Sequence, residues 1–362
     1  MKNTFGNNLT VTLFGESHGP EIGAVLDGLA PGLPVDEAFI RHQLTLRRPA
    51  GDGLSTARAE EDPFRIVSGV LDGRTTGTPL CLLIPNRDTR SRDYDRGMAR
   101  PGHADDTAQY KYHGFQDYRG GGHFSGRLTA PLVAVGAIVL SALRKKGILA
   151  GTHISMLAGI PDRDFGDLAA DLAALGDLPF PVLDPGAAEA MRGAIRAAAQ
   201  DSDSVGGILE TAVTGLPAGV GEPWFDTVEG VLAHALFAIP AVKGVEFGAG
   251  FAAARLRGSE NNDPFRVQNG HIVTETNNCG GILGGISTGM PVVFRAAFKP
   301  TPSISRTQAS VSLSRMENET LVIHGRHDPC IVPRAVPCVE AAAAIAVLDA
   351  WMGRKKETGY EF

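Results

Sequence analysis

Cysteine is scarce. Four residues in 362 (Cys81, Cys279, Cys330 and Cys338) form no C-x-x-C pair, which excludes a disulfide scaffold and points to a reducing, cytoplasmic setting. An excess of positive charge is also missing. Lys and Arg number 34 against 40 acids, a net of −6, so no basic field argues for nucleic acid or a membrane surface. Long apolar runs are absent too. The most apolar charge-free stretch, Leu128 to Leu143, contains Pro131 and Gly136 and falls short of the ~18 residues of a membrane span, so it reads as a buried core helix. The charge-free stretch Thr276 to Phe294 is too rich in Gly and Asn to cross a bilayer. The opening MKNTFGNNLT has no apolar centre and does not read as a signal peptide. There is no Walker A, no G-x-G-x-x-G, no internal repeat and no low-complexity linker. A single intertwined α+β domain over residues 1–362 is expected.

What is abundant is glycine and proline, together 68 of 362 residues, well above the usual ~12%. They cluster in short loops, where a backbone must approach a ligand closely. Arginine is unevenly placed. From Arg41 to Arg127 there are 13 arginines and one lysine against 11 acids. The guanidinium fork suits carboxylates and phosphates, so this quarter of the chain predicts a small, multiply anionic ligand.

Strands are expected at Leu9–Phe14, Ile22–Leu26, Phe64–Val70, Leu80–Ile84, Gly207–Val213 and Pro291–Phe298. Helices are expected at Glu37–Arg47, Arg127–Lys146, Asp167–Leu175, Gly186–Gln200, Phe225–Phe237 and Val336–Met352, with Gly147 and Gly353 as stops. Runs of strands beside strands argue against strict βαβ alternation.

Five segments carry chemistry. Gly15-Glu16-Ser17-His18-Gly19 satisfies G-x-S-x-G, yet only 14 residues precede it, too few for the strands and loop that a hydrolase elbow needs. The glycine-flanked His18 at a strand end is then the residue able to trade a proton near neutrality. Arg100-Pro101-Gly102-His103-Ala104-Asp105 presents a second histidine on a Pro-Gly turn. Asp117 to Arg127, DYRGGGHFSGR, is a glycine-rich loop opening a helix, a natural anion cradle. GGILGG at 280–285 is followed by FKPTPS at 298–303, which sets Lys299, Thr301 and Ser303 on one extended segment. In His324-Gly325-Arg326-His327-Asp328-Pro329-Cys330 the H-x-x-H-x-x-C spacing has no second ligand pair, so no metal is expected. Arg326 and Asp328 read better as an anion contact and a proton relay.

Taken in order, FGESHG, RR at 47–48, SGVLDGRTTGTPL, IPNRDTRSRDY, RPGHAD, DYRGGG, LPAGVGEPWFD, IPAVKGVEFGAGF, GGILGGISTG, FKPTPSI and GRHDPC-x-x-PRAVP resemble the chorismate synthase family over nearly the whole chain. The resemblance implies a β-α-β sandwich of antiparallel sheets with helices, and a homotetramer. It implies a carbon–oxygen lyase acting on phosphates: anti-1,4 elimination of phosphate from 5-enolpyruvylshikimate 3-phosphate, giving chorismate. It also implies reduced FMN as cofactor with no net redox change. His18 then matches the histidine that protonates the departing phosphate, and His103 the one that supports the reduced flavin. Asp328 matches the carboxylate that moves a proton, with Ser125. Arg47, Arg48 and Arg127, with Ser17 beside His18, match substrate-binding positions. Flavin contacts fall on His123, Phe124, Ser125, Pro240, Ala241, Gly284, Lys299, Pro300, Thr301, Pro302, Ser303 and Arg326. The chain departs from the family where GGGRSSARET reads GGGHFSGRLT, and where Gly53 stands in place of a common Arg. The latter weakens any NADPH site, so a monofunctional enzyme is expected, served by an external flavin reductase. On the residues alone, a flavin electron-transfer protein and a non-catalytic phosphosugar-binding module remain alternatives.

Overall fold

The fold, described from a computed structural model, covers residues 2–56, 61–87, 95–176, 178–323, 325 and 327–358, with side chains to Arg354 in the closing helix. Strands β1 (Thr4–Phe5), β2 (Thr10–Gly15) and β3 (Glu21–Asp27) lead into helix α1 (Glu37–Arg47), whose cap Asp36 accepts the Phe39 N–H. β4 (Arg65–Ser68), the small hairpin β5 (Val70–Leu71) and β6 (Arg74–Thr75), and β7 (Leu80–Pro85) follow. The first sheet is antiparallel throughout, in the order β1-β2-β3-β7-β4. Its register sets Ile22 opposite Ile84, Ala24 opposite Leu82 and Leu26 opposite Leu80. All six side chains are buried on one face, as the period-2 alternation dictates.

Helices α2 (Asp105–Tyr112) and α3 (Thr129–Arg144) precede β8 (Leu149–Leu157) and β9 (Ile160–Pro161). The chain continues through α4 (Leu168–Leu175), α5 (Pro185–Gln200), β10 (Gly207–Thr214), α6 (Val228–Phe237), β11 (Val242–Phe247) and α7 (Gly258–Asn261). Hairpins β12 (Phe265–Gln268) with β13 (His271–Thr274), and β14 (Ile282–Leu283) with β15 (Ile286–Ser287), lead to β16 (Val292–Phe298). A last hairpin, β17 (Thr307–Ser312) and β18 (Glu317–Val322), precedes helix α8 (Val332–Thr358). The second sheet is also antiparallel, ordered β11-β16-β10-β8-β9.

Helices α3 and α8 are the filling of the sandwich. α3 packs on β3 and β7 of the first sheet, α8 on β8 and β10 of the second, and the two pack on each other. Gly136 makes that contact close: a Cβ there would lie 2.3 Å from Ala341 Cβ. The segments Gly126–Arg144 and Val332–Arg354 are long and apolar enough to cross a membrane, and both are mostly buried in the protein. The β-α-β sandwich of antiparallel sheets is therefore the architecture found.

Several expectations shift. The helix expected from Arg127 opens as a 3-10 turn, Gly126–Leu128, with Gly147 (φ 75°) ending it. The helix expected from Phe225 begins at Val228, because the Thr227 side chain caps Gly230 N–H. The closing helix starts at Val332, four residues before the expected Val336, takes Pro337 into its interior and runs past Gly353. β8 was not expected, since Gly151, Thr152 and His153 interrupt any apolar alternation. In the sheet His153 is fully buried, its ring nitrogens 2.8 Å from Asp162 and 3.0 Å from Glu210. Near the other end of the chain, the buried Asp349 on α8 accepts the backbone N–H groups of Asn7, Asn8 and Leu9.

Candidate active site

A cavity of about 1040 Å³ opens where the end of the first sheet meets α3, α6, the 299–303 segment and the start of α8. His18 enters from the turn after β2. Ser17, fully buried, lies 3.0 Å from His18 Nδ1 and donates its hydroxyl to the Gly120 carbonyl at 3.0 Å. With that proton committed, Ser17 Oγ accepts from Nδ1–H, which leaves Nε2 as the proton-exchanging atom. The 120–122 loop is why the ring fits: Gly120, Gly121 and Gly122 all have positive φ, and a Cβ on Gly120 would lie 2.1 Å from the His18 ring.

His103 reaches the same cavity, its Nε2 2.7 Å from Ser303 Oγ. Burial pushes its pKa down to about 4, helped by the nearby Arg100 and Lys299 cations. Lys299 Nζ donates to Gly102 O at 2.6 Å, tying the histidine turn to the FKPTPS segment. Burial would raise the Asp105 carboxyl, but the Arg100 fork at 2.8 Å holds it below the usual range.

Asp328 lines the opposite wall. Thr56 N–H donates to Oδ1 at 2.8 Å and Arg334 to Oδ2 at 2.7 Å, which fixes the carboxylate's rotamer. Arg334, six residues after Asp328, was not singled out from the sequence. His123 also lines the cavity, with Nδ1 2.9 Å from Gly15 O. Phe124, Ser125, Pro240, Ala241, Thr301, Pro302 and Ser303 complete the expected lining.

The arginines are placed differently from the histidines. Arg47 and Arg127 are buried behind the cavity wall, where Asp62 takes both guanidinium groups, one on each carboxylate oxygen. Burial alone would raise Asp62; the two arginines hold it below the ordinary carboxylate value. Arg127 also donates to Asn86 Oδ1 at 2.9 Å, and Asn86 donates to the carbonyls of Glu16 and Gly19. Neither Asp62 nor Asn86 stood out in the sequence. Arg48, Pro300 and Gly284 do not line the cavity; Gly284 sits at the tip of the β14–β15 hairpin. Arg326 and His324 lie outside the described residues. Cys330 is buried, and burial pushes its thiol up to about 12.

Two buried polar atoms in the lining, Thr301 Oγ1 and Gln116 Oε1, have no hydrogen-bond partner among the described residues. Buried without a partner such atoms cost free energy, which a water or a polar ligand reaching them recovers.

The chorismate synthase family profile matches residues 9–352. The chain belongs to the chorismate synthase family. It is 48% identical to the chorismate synthase of Dehalococcoides mccartyi over 353 residues, covering 96% of each chain. Identity to that of Methanocella arvoryzae is 49% over 349 residues, 96% of this chain and 93% of the other. For Thermococcus kodakarensis it is 46% over 356 residues, 98% and 99%. A crystal structure of chorismate synthase superposes with a TM-score of 0.75 at 28% identity, covering 99% of this chain and 94% of that one. The architecture of two antiparallel sheets around helices is thus the family's, and chorismate synthase activity, a lyase activity on a small molecule, follows from membership.

Proposed function

We propose that the cavity carries out the anti-1,4 elimination of phosphate from 5-enolpyruvylshikimate 3-phosphate, with reduced FMN bound beside the substrate. The observation that carries this reading is the convergence of His18, His103 and Asp328 on one cavity large enough for two ligands. The lining suits a flavin: Lys299, His103 and the unpartnered Thr301 Oγ1 offer polar contacts to a ring edge, beside the apolar Pro240, Ala241 and Pro302. When bound, reduced FMN supplies electron density for C–O cleavage and an acceptor for the C6 hydrogen.

The chain's own groups then have separable tasks. His18, oriented through Nδ1 by Ser17, delivers a proton from Nε2 to the leaving phosphate. His103 is neutral before ligands arrive, and an anion placed beside it draws a proton onto the ring. Asp328, held by Arg334 and Thr56 and lining the same cavity as Ser125, moves the proton released from the substrate. Arg47 and Arg127 share one carboxylate, so the group keeps one unit of positive charge behind the wall that attracts an anion. Arg48, Pro300 and Gly284 lie outside the cavity lining and are given no ligand contact in this reading.

The enzyme is proposed to be monofunctional, drawing reduced FMN from an external flavin reductase in the cytoplasm. A homotetramer is supported by exposed apolar side chains between residues 224 and 272: Trp224, Phe225, Phe251, Phe265, Val267 and Ile272. Anaerobic incubation with photoreduced FMN and the enolpyruvyl substrate, following phosphate and chorismate absorbance, tests the reading. Stoichiometric release of both is expected. FMN binding without product overturns the elimination, and turnover on NADPH alone overturns monofunctionality.

A further inference from the structure

We propose that Asn86 is a positioning residue that sets the His18 turn against Arg127. Its side-chain amide is fully committed. Nδ2 donates to Glu16 O at 3.0 Å and to Gly19 O at 2.9 Å, while Oδ1 accepts from Arg127 Nε at 2.9 Å. The Asn86 backbone N–H donates to Pro20 O at 3.1 Å. The two carbonyls held by Nδ2 are the ends of the turn that contains Ser17 and His18, and Gly19 N–H closes that turn onto Glu16 O. One amide therefore clamps both ends of the segment that presents the imidazole, and fastens the clamp to a buried guanidinium.

The chemistry admits few replacements. The position needs two donors on one atom and an acceptor on the other, in one plane, which is the amide pattern. Aspartate has the shape but would point an oxygen at two carbonyls. Glutamine carries the same amide but is one methylene too long to keep all three bonds at these distances.

The two ends of the clamp are not equally dependent on it. Arg127 is also held by Asp62 and by Pro85 O, whereas two of the three amide bonds go to the two ends of the 16–19 turn. Loss of the amide should therefore loosen His18 more than Arg127. The turnover number, rather than the apparent substrate affinity, is the quantity that falls.

This inference rests on the proposed role of His18. The test is a mutant cycle on the full-length enzyme with excess photoreduced FMN, comparing Asn86→Ala, Asn86→Asp, His18→Ala and Asn86→Ala/His18→Ala. A misplacement of the order of 1 Å costs up to about 100-fold, so Asn86→Ala should lose roughly 10- to 100-fold in kcat. Its KM should stay within about threefold and the FMN dissociation constant within about twofold. Asn86→Asp should be as slow as Asn86→Ala or slower, although it adds a charge partner for Arg127. The double variant should be no more than about twofold slower than His18→Ala, since residues acting as one unit are not additive. Should Asn86→Ala fail to accumulate, Asn86→Ser carries the same cycle. Multiplicative losses in the double variant, or wild-type kcat in Asn86→Asp, overturn the proposal. Full turnover in His18→Ala overturns the reading of His18 itself, whereas wild-type kcat in both Asn86 variants beside an inactive His18→Ala overturns this inference alone.

Discussion

Replacing His103 by Gln keeps a polar group facing Ser303 and removes the titration. In the ligand-free protein the ring titrates at about 4 against an ordinary value of 6.5, because burial and the Arg100 and Lys299 cations penalise its charged form. Between those two values the unfolded chain binds a proton that the folded chain refuses, so stability falls as pH drops from 6.5 towards 4. At about 1.36 kcal/mol per pK unit, the wild type should lose roughly 2 kcal/mol at pH 5 from this group, and almost nothing at pH 7.5. Partial exposure of the ring reduces the figure to about 1–2 kcal/mol. Denaturant unfolding of wild type and His103→Gln at pH 7.5, 6 and 5 isolates the effect, because every other titrating group contributes to both proteins. The stability gap should move in favour of the variant by that amount as pH falls. A gap that stays constant from pH 7.5 to 5 would refute the claim that the fold holds this ring neutral. It would also remove the basis for proton uptake at His103 when an anionic ligand binds.

Gly120→Ala would place its Cβ 2.1 Å from the His18 ring, and should lower kcat by about 100-fold. Gly121→Ala, whose nearest neighbour is Ser125 Cβ at 3.9 Å, should lose far less in the same turnover assay. Asp62→Ala would leave two buried guanidinium groups without their shared carboxylate, a cost of about 3–5 kcal/mol. With an unfolding entropy of about 2.1 cal/mol/K per residue, that lowers the calorimetric midpoint of this chain by roughly 4–7 °C. Gly136→Val would drive a side chain into Ala341 between the two central helices, and should destabilise by about 1–3 kcal/mol in urea unfolding, leaving the FMN dissociation constant of the folded fraction unchanged.

The groups that exchange protons were legible in the sequence for a physical reason. His18 and His103 stand beside glycines, and Asp328 lies in a proline-containing turn, where an otherwise ordinary helix or strand pattern is interrupted. Their supports were not legible. Ser303 meets His103 across 200 residues, which leaves no local trace; Arg334 is only six residues from Asp328, but that spacing does not say that the first turn of α8 carries the guanidinium back onto the carboxylate. The same holds for Asp62, which sits in an ordinary-looking acidic loop yet joins two arginines from different helices. Arginine clustering was visible, but not that two of its members would turn inward to a carboxylate. Strand β8 was hidden because the charge partners that let His153 be buried come from β10 and from the turn after β9.

The contact between Asp349 and the backbone of Asn7, Asn8 and Leu9 joins groups up to 342 residues apart. At about 5–20 residues per second, a ribosome needs some tens of seconds to travel that distance. During that interval the first sheet and α3 can assemble, but the entry to β2 has no acceptor for three of its N–H groups. The face of α3 that α8 covers is bare as well. Completion of the sandwich therefore waits for α8, and until then the nascent chain exposes the apolar face of α3. A chain ending before Asp349 would lose the acceptor for its own first strands, so the last helix acts as the closing step of folding for the whole enzyme.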